Sequence, residues 1–386
     1  MDFSKRSDWK LDPNPLAKLL ASKRERKETL IDLTESNPTR CGFKAPRLES
    51  LSDPKNLIYD PDPHGMLEAR QALCRYYAER KVLIGPEQIF LTASTSEASS
   101  FLFRLLMNPG ESLLVPRPSY PLMDYLAGLN DVQLDAYSLK YQNDWAMDLE
   151  SLEEGFGRKP KAVLVVNPNN PTGNFVKENE WNAIHRLCLK NQTAVISDEV
   201  FFDYDFGEKS QVPVGAREDA PVLTFTLSGL SKVAAMPQMK LSWIVVNGPE
   251  RLRAEAIQRL EVISDTYLSV NTPSQRALAE WLEFSKTIQP EITTRISANQ
   301  SHLAKALEGS RKIALLSSQG GWFAVLKLSS GAEDESTAIR LLEEKNVCVH
   351  PGYFFDFDRG NFLVLSLLPP ERHFKEGVAS LVDTVV

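Results

Sequence analysis

Four apolar runs in this chain each end in a polar cluster of a different kind. QIFLTAS leads into Ser94-Thr95-Ser96, and KAVLVVNP opens NPNNPTG, which carries Asn170. TAVISDEV presents Asp198 and Glu199, and VLTFTLS leads to Ser228-Gly229-Leu230-Ser231-Lys232. Together these ends supply hydroxyls, a carboxamide, a carboxylate and a primary amine. Lys232 is the unusual member, because small, hydroxyl and apolar residues frame it where a lysine ordinarily meets solvent. A buried amine sheds its charge readily, since desolvation penalises the ammonium, and the neutral amine is the form that attacks an aldehyde.

The elements that carry these clusters must bring them together. The runs, with SLLVPRP and LSWIVVN, are short, rich in Val, Leu and Ile, and lack polar alternation. Strands buried on both faces of a mostly parallel sheet read this way. Interleaved helical segments make residues 46–264 a large α/β domain, its mixed sheet flanked by helices. Residues 1–45 form an N-terminal segment, with an amphipathic helix predicted over 14–27, and belong with the smaller domain. Residues 265–386 combine a long helical stretch with the strand-like GWFAVLKLS and FLVLSLL, a smaller α+β domain. Ligands collect at the carboxyl ends of strands in an open α/β sheet, so the four clusters are predicted to share one crevice. A pyridine ring bearing a phosphate and an aldehyde requires such a set: a phosphate cradle, a partner for its phenolic oxygen, an anion for its ring nitrogen, and an amine.

Composition excludes other classes. The chain has 386 residues with 44 basic and 51 acidic side chains, a net charge of −7. That balance, without long basic runs, argues against nucleic-acid or anionic-membrane partners. Cys41, Cys74, Cys188 and Cys348 lie far apart with no CxxC pair, so neither structural zinc nor a disulfide framework is expected, and no metal site is assigned. No run of about 18 apolar residues occurs and the opening stretch lacks a signal-peptide core, so a cytoplasmic protein is expected.

The motifs YDPDPHGMLEAR, LTASTSEA, VPRPSYP, NPNNPTG, ISDEVFFDYDF, SGLSK and GGWFAVL follow one another over nearly the whole chain. In that order they resemble the class I/II aminotransferases, fold-type I enzymes of the aspartate aminotransferase superfamily that use pyridoxal 5′-phosphate. The resemblance implies that Lys232 carries the cofactor as a Schiff base and that Asp198 holds the proton of the ring nitrogen. It implies that Asn170 bonds the phenolic oxygen and that Ser94, Thr95, Ser96, Ser228 and Ser231 surround the phosphate. Tyr120 would stack on the ring. Tyr59 would reach the phosphate across a homodimer with shared active sites. Ser36, Asn37 and Arg40, in the SNPTRCG loop, would face the substrate.

Three positions depart from the family pattern. Lys240 stands where an arginine usually clamps the phosphate, keeping the charge but not the bidentate fork. Phe201 replaces a tyrosine that also bonds the phenolic oxygen, which raises the pKa of the Lys232 Schiff base. Nearby Tyr204 is offset from that place. Val364, in FLVLS, occupies the place of the arginine that pairs with the substrate carboxylate. Arg40 is the first replacement candidate, followed by His64, Arg359 and Arg372.

The function expected is transamination between an amino acid and a 2-oxo acid. A β-lyase or decarboxylase on the same scaffold is the alternative, favoured by the missing arginine. A non-catalytic cofactor-binding sensor is more remote, since about 45 residues before the large domain leave no room for a DNA-binding module.

Overall fold

The structure, a computed structural model, describes residues 2–9, 11–207, 220–329, 331, 333–358 and 360–385. A short strand β1 (Ile31–Asp32) precedes the strands of the main sheet. These are β2 (Ile89–Thr92), β3 (Ser112–Arg117), β4 (Gln133–Tyr141), β5 (Trp145–Met147), β6 (Ala162–Val166), β7 (Ala194–Asp198), β8 (Thr224–Gly229) and β9 (Ser242–Asn247). They hydrogen-bond in the order β2-β9-β8-β7-β6-β3-β4-β5. The run β8-β7-β6-β3-β4 is parallel, while β9 is antiparallel to both its neighbours and β5 is antiparallel to β4. Residues of β8 and β9 are buried throughout, as strands covered on both faces must be.

All six apolar runs form strands of this sheet. Apolar patterning does not pick out β4 and β5, at one edge. QLDAYSLKY mixes exposed, half-buried and buried positions, so no continuous apolar run marks it.

The remaining strands are β10 (Ile313–Leu315), β11 (Phe323–Leu328), β12 (Val347–Cys348), β13 (His350–Pro351) and β14 (Phe362–Ser366). Four of them form the antiparallel sheet β10-β11-β14-β13, and β12 pairs in parallel with β1. The opening helix spans Pro15–Glu25, where Asn14 Oδ1 accepts from Ala17 N–H at 2.8 Å and caps it. The domain boundary expected at residue 264 falls inside the helix Glu250–Tyr267. A 35-residue helix, Thr272–Ala306, then spans both sheets. Gln289 donates to Val233 O beside β8, and Asn299 Nδ2 donates to Leu367 O and Pro369 O beyond β14.

The loop before β11 locks onto the main-sheet loops. Gln319 N–H donates to Gly173 O at 3.0 Å, Phe206 N–H to Gln319 O at 2.8 Å, and Gly321 N–H to Tyr204 O at 2.9 Å. Gly173 has φ +72°, and a Cβ there would lie 2.4 Å from Gly320 O. Gly173→Ala is therefore expected to cost about 3 kcal/mol in urea unfolding, from left-handed strain and the clash together. A loss below about 1 kcal/mol would show that the two loops part easily.

Candidate active site

Strand register brings the chemistry together. In the parallel ladder Val166 of β6 lies beside Asp198 of β7, and Asp198 lies beside Leu227 of β8. The NPNNPTG loop, the carboxylate and the lysine turn therefore leave the same edge of three adjacent strands, at their carboxyl ends.

Lys232 sits in the one-turn helix Leu230–Val233 directly after β8. Its Nζ lies 4.4 Å from the ring centre of Trp322 and 5.0 Å from that of Phe201. Burial pushes the amine down to about 8, against the pull of the Asp198 charge. Asp198 accepts from Val200 N–H at 3.1 Å. Burial pushes its carboxyl up to about 6, against the Val200 N–H and the Lys232 charge. At neutral pH the lowered pKa gives the Lys232 amine more neutral character than an ordinary lysine, while the raised Asp198 pKa still lies below neutral. The pair thus offers a nucleophilic amine and an anion under the same conditions.

The asparagines of NPNNPTG divide their work. Asn167 Oδ1 accepts from Val176 N–H at 3.0 Å, and Asn169 Nδ2 donates to Pro118 O at 3.0 Å and Thr172 Oγ1 at 2.7 Å. These bonds build the turn. Asn170 instead has a buried Oδ1 with no hydrogen-bond partner. On β8, Thr226 and Ser228 share one face by period-two alternation, and both hydroxyls are buried without partners. Such groups cost about 1–3 kcal/mol each when unsatisfied, so they mark where a ligand's polar atoms belong.

Ser94 caps the helix Thr95–Leu106, its Oγ accepting from Glu97 N–H at 3.1 Å, while Glu97 accepts from Ala93 N–H at 2.7 Å and Ser269 Oγ at 2.6 Å. With Ser94 committed to this cap, the N–H groups of Thr95 and Ser96 project from the helix end, where an anion is favoured. Ser231 is half-buried in the lysine turn. Lys240 is exposed at a left-handed position, φ +50°. Tyr120 is 53% exposed, and its neighbour Ser119 donates N–H to Phe355 O at 2.9 Å, tying this loop to the segment between β13 and β14. Tyr59 is 77% exposed.

Each described replacement candidate for the missing arginine meets a neighbour of its own. Val364 is fully buried in β14 between Val325 and His350, part of the core rather than a pocket wall. Arg40 points outward, 3.7 Å from Glu35, and Asn37 caps its own turn by accepting from Thr39 N–H and Oγ1. Ser36 is half-buried in the same loop. His64 stacks on Phe90 at 4.0 Å, and burial with the Arg70 charge lowers its pKa, which favours the neutral ring. Arg372 pairs with Glu376 at 3.0 Å on the last helix, and Arg359 lies outside the described residues.

Tyr204 donates its hydroxyl to Lys232 O at 2.7 Å, which commits it to the turn. Trp322 is a neighbour of Lys232 that lies within the motif GGWFAVL, to which sequence alone assigns no role. The signal available was an aromatic directly after a Gly-Gly pair. Among the described residues, no group of three His, Cys, Asp or Glu is gathered as a metal site.

An amine, an ionised carboxylate, a free carboxamide and a helix end at the carboxyl edge of a mixed α/β sheet define a fold-type I group-transfer enzyme. The sequence profile of the family "aminotransferase class I and II" matches residues 7–372. The glutamate-pyruvate aminotransferase AlaA of Haemophilus influenzae is 24% identical over 369 residues, 92% of this chain and 91% of that protein. The S-alkyl-thiohydroximate lyase SUR1 of Arabidopsis thaliana is 32% identical over 240 residues, 61% of this chain and 51% of that protein. The solved structure of an alanine aminotransferase from Pyrococcus furiosus superposes with a TM-score of 0.88 at 24% identity, covering 99% of both chains. The chain belongs to the class I and II aminotransferase family, and it is an enzyme that transfers amino groups. Members of this family use pyridoxal 5′-phosphate.

Proposed function

We propose that this chain is a pyridoxal 5′-phosphate-dependent aminotransferase that moves an amino group from an amino acid to a 2-oxo acid with Lys232 as its working amine. One observation carries the reading. The depressed Lys232 amine and the Asp198 carboxylate leave adjacent strand ends, beside a carboxamide and hydroxyls that have no protein partner. The donor set fits the cofactor. When bound, the cofactor supplies an aldehyde for the amine and a ring that takes up the electron pair released at the donor's Cα.

The remaining work belongs to the chain. Lys232 would hold the cofactor and, once the amino donor has taken its place, its neutral Nζ would accept the proton from the donor's Cα and return it to the carbon on the far side of the donor's nitrogen, two atoms along. Asp198 keeps the ring nitrogen protonated by accepting its hydrogen bond. Asn170 bonds the phenolic oxygen, without a second hydroxyl there, because Phe201 brings none and Tyr204 is held by Lys232 O. Thr95 and Ser96, with Ser94, Ser228, Ser231 and Lys240, receive the phosphate. Tyr120 covers the ring, and Ser36, Asn37 and Arg40 line the substrate's approach. The phosphate-binding domain spans 46–264, and 1–45 with 265–386 form the smaller one. Exposed Tyr59 belongs to a two-fold interface of a homodimer. No helix among the described residues is long and apolar enough to cross a membrane, in keeping with a cytoplasmic enzyme.

Borohydride reduction followed by peptide mapping tests the attachment, which is expected on Lys232. A donor screen across neutral, acidic, aromatic and non-α amines then reads the conversion of bound cofactor to its pyridoxamine form. Release of pyruvate and ammonia without that conversion would replace transamination with a lyase reaction.

A further inference from the structure

The helix Leu230–Val233 has four residues, too few to hold itself, and of its last two carbonyls Lys232 O accepts one long backbone bond, from Ala235 N–H at 3.3 Å. Two side chains from distant parts of the chain occupy them. Tyr204 Oη donates to Lys232 O at 2.7 Å, and Gln289 Nε2 donates to Val233 O at 2.9 Å. Ala235, just beyond, is held left-handed at φ +56°, so the turn also ends under backbone strain.

Gln289 is itself fixed. Its second N–H donates to Asp203 Oδ2 at 2.7 Å, and the same carboxylate accepts from Tyr76 Oη at 2.8 Å and from Arg80 Nε and Nη2 at 2.9 and 2.6 Å. The Arg80 guanidinium lies 3.6 Å from the centre of the Tyr76 ring. Asp203 therefore has a single orientation, and it allows the Gln289 amide a single orientation in turn.

We propose that Tyr204 and Gln289, with Asp203 behind them, are the positioning residues of Lys232. They clamp the two successive carbonyls of the lysine turn and so set the line along which the amine leaves the cofactor and returns. The proposal rests on Lys232 being the reactive amine. Its physical basis is that proton transfer at Cα needs the amine within hydrogen-bond reach, and a misplacement of about 1 Å costs about 100-fold.

The test uses holoenzyme carrying Tyr204→Phe or Gln289→Leu. Single-turnover rates with an amino donor, the pH midpoint of the bound cofactor's absorbance, and melting temperature are measured on each. The expected rate loss is about tenfold for Tyr204→Phe and about 100-fold for Gln289→Leu, with the donor concentration for half-maximal rate unchanged and the pH midpoint displaced. Rates and midpoints matching the parent, with only a lower melting temperature, would overturn the proposal and leave the clamp purely structural. If Gln289→Leu does not fold, Tyr204→Phe decides alone, since it removes one hydroxyl and keeps the ring. A parent enzyme with no borohydride-fixed cofactor on Lys232 would instead overturn the premise, an outcome read before any variant is made.

Discussion

Replacing Lys232 with methionine is expected to lower transamination by at least about 10⁴-fold while making the cofactor-free protein more stable at neutral pH. The activity loss follows from removing both the attachment point and the base at Cα. The stability gain follows from removing an ammonium that burial desolvates, a cost that the ring faces of Trp322 and Phe201 offset only in part. The direction with pH is fixed by the amine's pKa, about 8 in the folded chain against an ordinary 10.5. Between those values the unfolded chain holds more protons, so this group's contribution to stability rises with pH. Below about pH 8 the penalty of the charged, buried amine is present in full. The methionine variant is therefore expected to gain at most about 3 kcal/mol at pH 7, less the cost of leaving Asp198 without its counter-charge, with the gain shrinking toward pH 10.5. Urea unfolding at about pH 7 and about pH 10 reads it. A variant less stable than its parent at neutral pH would mean that the amine is not desolvated.

Asp198→Asn is expected to lower the rate about 10²- to 10³-fold without a matching change in donor affinity. The carboxamide oxygen can still accept from Val200 N–H, so the local turn survives. What disappears is the negative charge at the end of β7. The same charge raises the pKa of Lys232, so its removal is expected to move the amine below about 8. The pH dependence of Lys232 acylation in cofactor-free protein measures that shift. An asparagine variant within fivefold of the parent rate would remove Asp198 from the mechanism.

Much of this site was legible because strand ends announce themselves. A buried parallel strand reads as an unbroken apolar run, and the first polar residue after it stands at the carboxyl edge where ligands bind. Asp198, Asn170 and Lys232 became candidates that way, and strand register places Asp198 and the lysine turn at the same sheet edge. Two edge strands were not, since β4 is only partly covered and its apolar residues do not form a run. Trp322 lies in a recognisable motif yet gains its role only in the folded chain, because its place beside Lys232 depends on the docking of the 319–321 loop against Gly173 and Tyr204. The substrate-carboxylate partner marks the opposite limit. Arg40, His64 and Arg372 are the right residue types near the right motifs, and residue type alone does not choose among an exposed Arg40 3.7 Å from Glu35, a His64 stacked on Phe90 and an Arg372 paired with Glu376.

The sequence by itself determined the family and the fold class, and it singled out an amine, a carboxylate and a carboxamide as candidates, since these depend on residue type and on the period of the apolar pattern. Only the tertiary structure decided how those groups are tuned and held. Burial lowers the Lys232 amine, and Asn170 emerges from three asparagines as the one whose oxygen lacks a partner. The clamp of Tyr204, Gln289 and Asp203 joins residues 28 to 86 positions apart in the chain, a separation that no local pattern encodes. Desolvation and hydrogen-bond satisfaction are properties of the packed neighbourhood, and it is the packing that turns an ordinary lysine into a reactive one.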